Sequence, residues 1–268
     1  MKKICVVIPV HNENPSEYEL ISMRQCFAVL SDYTIKFVAP NGLNINRYRS
    51  VVPDLDIIYI DRNWQSSLMA YNKLKMSRFF YKLFSEFDFL LTYELDAFIF
   101  KDDLQYWCSK GYDYIGAPWF EGLDNPVANA KLIGVGNSGF SLRNIDSVQS
   151  VLESIFYKNP KNYNTGRRES LKAHMKLPYQ WLRNKLGENY TVQKSGLYED
   201  RFFSEVVPLF VKNFKIASAE DALKFSFEVN PARLYEMNAK QLPTGCHAWW
   251  RYDLEFWRPF IMEQGYEL

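Results

Sequence analysis

The sequence predicts an α/β protein with a mixed, mainly parallel central sheet flanked by helices. Short β-branched runs alternate with longer segments whose apolar residues recur at helical spacing, which is the pattern of a doubly wound sheet. The first run, 4–10, is continuously apolar, as in a parallel strand that is buried on both faces. The chain has 268 residues, of which 47% are hydrophobic, so it can build a sizeable core.

The regular alternation extends over the first hundred residues and then weakens. The predicted strands there are 4–10, 34–39, 56–60 and 88–92, and the predicted helices are 17–30 and 68–84. Further along, the pattern indicates a strand over 112–119, a glycine-rich segment entering a strand over 134–142, and helices over 146–156 and 199–210. No internal repeat or linker divides the chain, so one domain is expected.

The charge balance and the cysteines exclude several classes of protein. Lys plus Arg is 32 and Asp plus Glu is 31, so there is no net field to hold nucleic acid. The four cysteines form no CxxC pair, which argues against a zinc knuckle or a thioredoxin site. The first apolar run is short and ends at the polar residues 11–13, and no stretch approaches the ~20 apolar residues of a membrane span. We therefore expect a cytoplasmic protein.

Two carboxylates, Glu94 and Asp96, follow the fourth predicted strand. Residues two apart in an extended segment point to the same side, so both groups can face one point. Their strongly apolar neighbours indicate a buried setting, where a divalent cation such as Mg²⁺ or Mn²⁺ would offset the repulsion. The alternative is a capped turn with two solvated acids. Ligands of open α/β sheets bind beyond the carboxyl ends of the strands, which is where this pair lies.

The glycine-rich segment 136–141 is the second candidate. Glycine lets the backbone approach a ligand closely, and Asn137 and Ser138 offer hydrogen bonds to hydroxyl or phosphate groups. Its spacing matches neither a Walker loop nor a dinucleotide fingerprint. Taken alone, the segment is typical of a β-bulge or a hairpin turn.

Two further candidates lie nearer the end of the chain. Glu199 and Asp200 begin a predicted helix, where the helix dipole favours acids; alternatively, one of them faces a cleft as a general base. His247 is one of three histidines and follows a Pro-Thr-Gly turn. A lone histidine among aromatic residues is commonly a core residue. The alternative is that its imidazole completes a carboxylate-bound metal site.

The segment 158–194 is strongly basic, with nine Lys or Arg against two Asp or Glu. A solvated surface insertion is the simpler interpretation. The alternative is a patch for an anionic acceptor, such as a lipid-linked pyrophosphate at the membrane face. Its contacts would be Arg167, Arg168, Arg183 and Lys185.

Five motifs resemble a known pattern. They are Tyr-Glu-Leu-Asp-Ala-Phe at 93–98, Tyr-Asp-Tyr-Ile-Gly-Ala-Pro-Trp at 112–119, Gly-Asn-Ser-Gly-Phe-Ser-Leu at 136–142, Glu-Asp-Arg-Phe-Phe at 199–203 and Gly-Cys-His-Ala-Trp-Trp at 245–250. The chain resembles the GT-A class of nucleotide-sugar glycosyltransferases. More closely, it resembles a bacterial and viral family of formerly unknown function that is now described as glycosyltransferase-like. The resemblance implies a single GT-A-like (Rossmann-like) domain over 1–268, with a basic surface insertion at 158–194.

The resemblance also implies roles for individual residues. Asp96 takes the place of the last acid of an Asp-x-Asp metal motif, and His247 that of a histidine that binds the same ion. Asp200 matches the acid that deprotonates the acceptor in inverting members. Glu94 replaces the first acid of the motif and is assigned to the donor site. The other residues implied to bind the nucleotide or the donor sugar are Pro9, Val10, Asn12, Asn72, Lys73, Asn137 and Gly139.

The implied activity is transfer of a sugar from a nucleoside-diphosphate donor, with a UDP-sugar favoured. The acceptor would be a hydroxyl of a glycan or of a lipid-linked sugar, as in polysaccharide biosynthesis. Mn²⁺ or Mg²⁺ would assist, and Asp200 as base implies inversion. Two other classes stay open: a metal-dependent phosphohydrolase acting on nucleotide-linked substrates, and a non-catalytic nucleotide- or glycan-binding module. No nucleic-acid partner and no transmembrane segment are expected, whereas 158–194 offers a peripheral membrane contact.

Overall fold

The structure is a computed structural model that describes residues 1–164 and 171–268. In these ranges the strands are β1 (Ile4–Pro9), β2 (Thr34–Pro40), β3 (Asp56–Ile60), β4 (Phe89–Tyr93), β5 (Phe98–Ile99), β6 (Tyr114–Ile115), β7 (Ala117–Phe120), β8 (Leu132–Gly136), β9 (Phe140–Asn144), β10 (Ser226–Phe227) and β11 (Gly245–Cys246).

The helices in the same ranges are α1 (Glu17–Val29), α2 (Asn46–Arg49), α3 (Leu68–Lys75), α4 (Arg78–Lys82), α5 (Leu104–Ser109), α6 (Ile145–Ser154), α7 (Pro160–Asn164), α8 (Leu171–Met175), α9 (Leu177–Lys185), α10 (Tyr190–Ser195), α11 (Glu199–Arg201), α12 (Val207–Phe210), α13 (Ala219–Phe225), α14 (Pro231–Met237) and α15 (Leu254–Glu263). A 3₁₀ turn (Arg62–Gln65) precedes α3, and a π-helical turn (Phe202–Val206) joins α11 to α12.

The central sheet has six strands in the order β3-β2-β1-β4-β9-β6. β1 pairs in parallel with β2 and β4, and β2 pairs in parallel with β3. β9 runs antiparallel to both β4 and β6. The predicted α/β class, with a mixed and mainly parallel sheet flanked by helices, is therefore confirmed.

Two apolar cores cover the two faces of this sheet. Side chains of β1 alternate between them, as the period of a strand requires. Val6 and Ile8 belong to the core that α1 completes. Cys5 and Val7 belong to the core that α4 and α6 complete. The continuous apolar run at 4–10 thus reflects burial on both faces, as the sequence predicts.

The predicted helix over 68–84 is instead two helices, α3 and α4. The break comes at Ser77, whose backbone is extended and whose hydroxyl accepts a hydrogen bond from the backbone N–H of Phe80 at 3.2 Å. Serine is favoured at this capping position because its oxygen satisfies a free N–H of the first turn. Most of the apolar residues of 68–84 do lie in helices as their spacing predicts, but the cap at Ser77 divides the segment into two helices.

A small second sheet, β10-β11-β5, connects distant parts of the chain. β11 runs antiparallel to β5, with Cys246 opposite Phe98. Because β5 follows β4 after only four residues, this pairing carries residue 247 to the end of β4. The predicted strand over 112–119 divides into β6 of the central sheet and β7, which pairs with β8.

The basic segment 158–194 contains α7 to α10 in the part that is described. Arg167 and Arg168 lie outside the described residues. Each helix of the described ranges is too short or too polar to cross a lipid bilayer.

A candidate metal and donor site

A cleft of about 660 Å³ opens beyond the carboxyl ends of β1 and β4, where ligands of open α/β sheets bind. Every residue predicted from the sequence for the metal site, the donor site or the general base lines it, except Lys73. The predicted residues in the lining are Pro9, Val10, Asn12, Asn72, Glu94, Asp96, Asn137, Gly139, Asp200 and His247. The fold thus brings these residues together from six separate segments, and their individual roles stay predictions.

Glu94, Asp96 and His247 form a group that can hold a metal ion. The ring Nε2 of His247 lies 3.0 Å from Oδ1 of Asp96 and 3.8 Å from Oε2 of Glu94. One ligand atom from each residue lies within 4.8 Å of the other two. Two carboxylates and one imidazole suit divalent ions such as Mn²⁺. These residues therefore fit the divalent cation that the sequence predicts.

His247 is held in place from its other ring nitrogen. Its Nδ1 lies 2.8 Å from Oε1 of Glu228, the carboxylate–histidine arrangement that orients ligands in metal sites. Burial lowers the pKa of His247, but the carboxylates of Asp96, Glu228 and Glu94 outweigh it and raise that pKa well above the usual value. Without a cation, the imidazolium therefore balances the surrounding negative charge. A divalent cation would supply that positive charge instead.

Glu94 is fixed by two donors from α3. Its Oε1 accepts hydrogen bonds from Nζ of Lys75 and from the hydroxyl of Tyr71, each at 2.9 Å. Burial opposes ionisation, but Lys75 and His247 hold the pKa of Glu94 well below its usual range. Lys75 also donates to Ser138. Glu94 is thus ionised, with one oxygen occupied and the other turned toward His247.

The lysine of α3 that lies in the cleft is Lys75 rather than Lys73, which corrects the prediction from the sequence. Leu68, Tyr71, Asn72 and Lys75 line the cleft, and their spacing of three and four residues places them on one face of the helix. Lys73 points away from this face and is exposed.

The two acids at the start of α11 have different environments. Glu199 is fully buried, with Oε1 2.8 Å from a guanidinium nitrogen of Arg143 and Oε2 3.9 Å from Nζ of Lys75. Burial raises the pKa of Glu199, and Arg143 and Lys75 oppose that shift. Asp200 instead lines the cleft. Of the two acids, Asp200 is the one that can meet a substrate.

Asp200 is held by backbone donors. Its two oxygens accept hydrogen bonds from the N–H of Asn137 at 3.2 Å and the N–H of Arg201 at 2.8 Å. Burial raises the pKa of Asp200, partly against these hydrogen bonds. A half-buried carboxylate of raised pKa in a cleft is a candidate general base.

Asn137 shapes the glycine-rich turn. Its backbone adopts the left-handed conformation, with φ of 71°, and its Oδ1 accepts a hydrogen bond from the N–H of Gly139 at 2.9 Å. Its buried side-chain Nδ2 has no partner among the described residues. The turn joins β8, which pairs with β7, to β9 of the central sheet, so it is not the hairpin turn or β-bulge that the sequence suggests, and it brings Asn137 into the lining of the cleft.

Three residues of the site, Lys75, Tyr71 and Glu228, lie outside the sequence motifs and are not predicted by them. Helical spacing is a signal that could have identified Lys75 and Tyr71, because they share a face of α3 with Asn72. Glu228 follows the short strand β10, and only the pairing of β10 with β11 brings it beside His247. Arg183 and Lys185, predicted as acceptor contacts, pair with Glu188 and Glu153 on the surface and lie outside the cleft.

The fold and this group define an α/β protein with a carboxylate–histidine site at the end of its parallel strands. The family model described as "Protein of unknown function (DUF5672)" matches residues 54–247, most of the chain. The chain belongs to this DUF5672 family. The match includes Glu94, Asp96, Asp200 and His247. No curated protein matches the sequence.

Solved structures with a similar arrangement include two transferases. One is the apo form of mouse xyloside xylosyltransferase 1, with a TM-score of 0.47, 10% identity, and coverage of 91% of this chain and 97% of that chain. Another is the galactosyltransferase LgtC in complex with donor and acceptor sugar analogues, with a TM-score of 0.44, 13% identity, and coverage of 91% and 86%. Both scores are low, so the function proposed below is based on the site's own residues.

Proposed function

We propose that this protein is a glycosyltransferase that moves a sugar from a nucleoside-diphosphate donor to a hydroxyl group of a glycan or lipid-linked acceptor. A UDP-sugar is the proposed donor, and Mn²⁺ or Mg²⁺ the proposed cation. The reaction would proceed with inversion at the anomeric carbon. The single domain and the cytoplasmic location expected from the sequence are part of the same proposal.

One observation carries this proposal: the cleft contains both a cation-binding group and a separate, half-buried carboxylate. Asp96 and His247 lie 3.0 Å apart in one wall, and Asp200 is held in the cleft by two backbone N–H groups. Transfer from a diphosphate donor needs these two functions, since negative charge grows on the leaving group while the acceptor hydroxyl loses a proton. The five motifs of the sequence support the same function.

In this mechanism different residues of the chain have different functions. A divalent ion bound by Asp96 and His247 would stabilise the charge of the leaving diphosphate as a Lewis acid. Glu228 holds the His247 ring, and Lys75 keeps Glu94 ionised. Asp200 takes the proton of the acceptor hydroxyl. The oxygen of that hydroxyl attacks the anomeric carbon of the donor sugar while the bond from this carbon to the diphosphate breaks. Attack opposite the leaving group inverts that carbon.

Binding of nucleoside diphosphates with and without Mn²⁺ tests the donor site. We expect UDP to raise the melting temperature in the presence of Mn²⁺ and to do so much less in its absence. Asp96→Asn should remove the metal-dependent part of this shift. Asp54→Asn, an exposed aspartate outside the cleft, is the matched control and should behave like the wild type.

A panel of nucleotide sugars, assayed with and without glycan acceptors, tests the reaction class. Sugar transfer to a hydroxyl acceptor supports the proposal. Release of phosphate from nucleotide-linked substrates at the same rate without any acceptor would contradict it and favour a phosphohydrolase. Glycan binding with no nucleotide binding at all would contradict it and favour a binding module.

A further inference from the structure

An exposed apolar stripe runs along α8 and α9 and is independent of the cleft. Its five members are spaced four, four, three and four residues apart, which places them on one face of a helix. Only Lys176 separates the two helices, and its backbone stays in the right-handed helical region. The stripe residues, between 53% and 85% exposed, are Leu171, Met175, Tyr179, Leu182 and Leu186.

The stripe reverses the usual pattern of a surface helix, which buries its apolar face. On α9 the residues opposite the stripe are Gln180 and Asn184, which are only 9% and 4% exposed. The polar side is thus the covered side, while the apolar side faces outward together with Trp181. Contiguous exposed apolar surface of this kind marks an interaction site.

Basic residues flank the stripe. Lys172, Lys176 and Arg183 each follow a stripe residue by one position, so they lie along one border of it. Arg183 pairs with Glu188, whereas neither Lys172 nor Lys176 forms an ion pair with another described residue. The segment 158–194 holds nine basic and two acidic residues in a chain whose net charge is +1. Positive charge is therefore concentrated in the stretch of sequence that contains the stripe.

We propose that the apolar stripe and its flanking lysines bind the surface of an anionic lipid bilayer. Amphipathic helices with aromatic and aliphatic residues on one face and lysines at its border lie in the headgroup region of membranes. The negative surface potential of such membranes attracts the basic segment, which gives charge complementarity. A second copy of the chain is a poorer occupant, because stripe-to-stripe contact would bring the flanking lysines of both copies together.

Vesicle co-sedimentation of the full chain tests this proposal. We expect binding to phosphatidylcholine vesicles that contain phosphatidylglycerol, weaker binding to phosphatidylcholine alone, and loss of binding as salt rises. Two double variants should each weaken vesicle binding by on the order of tenfold or more. One is Leu182→Gln/Leu186→Gln, and the other is Lys172→Gln/Lys176→Gln. The matched control is Lys131→Gln/Ile133→Gln, which changes one exposed lysine and one exposed apolar residue on β8 or beside it.

The variants change exposed side chains, and their melting temperatures should match that of the wild type. Equal vesicle binding by the stripe variants and the control would overturn the proposal. Sedimentation velocity supplies a second readout. A dimer that Leu182→Gln/Leu186→Gln dissociates, with no vesicle binding by the wild type, would overturn it in favour of self-association.

Discussion

Arg143 and Glu199 form a fully buried ion pair, with Nη1 of the guanidinium 2.8 Å from Oε1 of the carboxylate. The pair lies behind the wall of the cleft, and Glu199 immediately precedes Asp200 in the chain. Arg143 also donates to the hydroxyl of Tyr81 at 2.9 Å. This pair anchors the start of α11 and thereby leaves Asp200, the next residue, to face the cleft. The anchor has consequences for stability, and the proposed base Asp200 has consequences for the proposed reaction.

Glu199→Gln should strongly destabilise the protein. It leaves the guanidinium of Arg143 buried without a counter-charge, and breaking a buried pair in this way costs about 3–5 kcal/mol of unfolding free energy. Urea denaturation measures it. The control is Glu205→Gln on the same helical segment, which removes a partly exposed pair with Arg201 and should cost no more than about 1 kcal/mol. Equal losses in the two variants would show that the Arg143 pair does not anchor α11.

Asp200→Asn should abolish most of the turnover while leaving donor binding intact. Loss of a general base costs about 10²–10⁴-fold in rate. The amide keeps the size of the side chain, and Asp200 is not one of the three residues grouped as cation ligands. Steady-state kinetics should therefore show a fall in kcat with little change in KM for the donor. Full turnover by this variant would refute the assignment.

As the pH is lowered, kcat/KM should begin to fall at a higher pH than it would if the base were an exposed aspartate. Burial raises the pKa of Asp200, and the base is active only when it is deprotonated. Lowering the pH through that raised pKa therefore protonates the base and reduces kcat/KM. The measurement is the pH profile of kcat/KM at saturating Mn²⁺. An acid limb at the pKa of an exposed aspartate would contradict the burial of the base.

Glu228→Gln should weaken the binding of Mn²⁺ by about 10–100-fold, although Glu228 is not itself one of the three grouped ligands. Its carboxylate lies 2.8 Å from Nδ1 of His247 and both orients the ring and raises its basicity. Isothermal titration with Mn²⁺ measures this effect without any assay of activity. Glu121→Gln, at an exposed carboxylate outside the cleft, should leave the affinity unchanged.

The sequence predicts the sheet well because its evidence is local. The apolar run of β1 and the helical spacing of the apolar residues of α1 both follow from burial. Each pattern can be recognised within its own short segment of the sequence. The site is predicted only in part. Asp96 and His247 were identified through motifs, but their contact depends on the pairing of β11 with β5, and no local pattern encodes that pairing.

The error at Lys73 has a similar origin. The resemblance implies Lys73 as a donor-site residue, whereas the helical face that lines the cleft contains Lys75. The residue pattern alone leaves open which of Glu199 and Asp200 faces the cleft, and the family resemblance implies Asp200. A partner distant in the chain decides it, because Arg143 retains Glu199 in the core. Long-range electrostatic pairing is the information that the sequence pattern lacks.

Gly139 offers a steric test of the site that changes no charge. A Cβ at this position would overlap the ring of His247 at Nε2 and Cδ2. His247 cannot retreat freely, because Glu228 holds its other nitrogen. Gly139→Ala should therefore displace the ring from Asp96 and lower the affinity for Mn²⁺ as strongly as His247→Ala does. Isothermal titration compares the two variants.

The matched control is Gly134→Ala in the neighbouring strand β8. Its Cβ would lie 3.4 Å from Cε3 of Trp119, which is an ordinary van der Waals contact. This variant should bind Mn²⁺ like the wild type and show a similar melting temperature. If Gly139→Ala also keeps the wild-type affinity for Mn²⁺ while remaining folded, the His247 ring is not a ligand at the position where it packs against Gly139, and the cation-binding group would have to be reassigned.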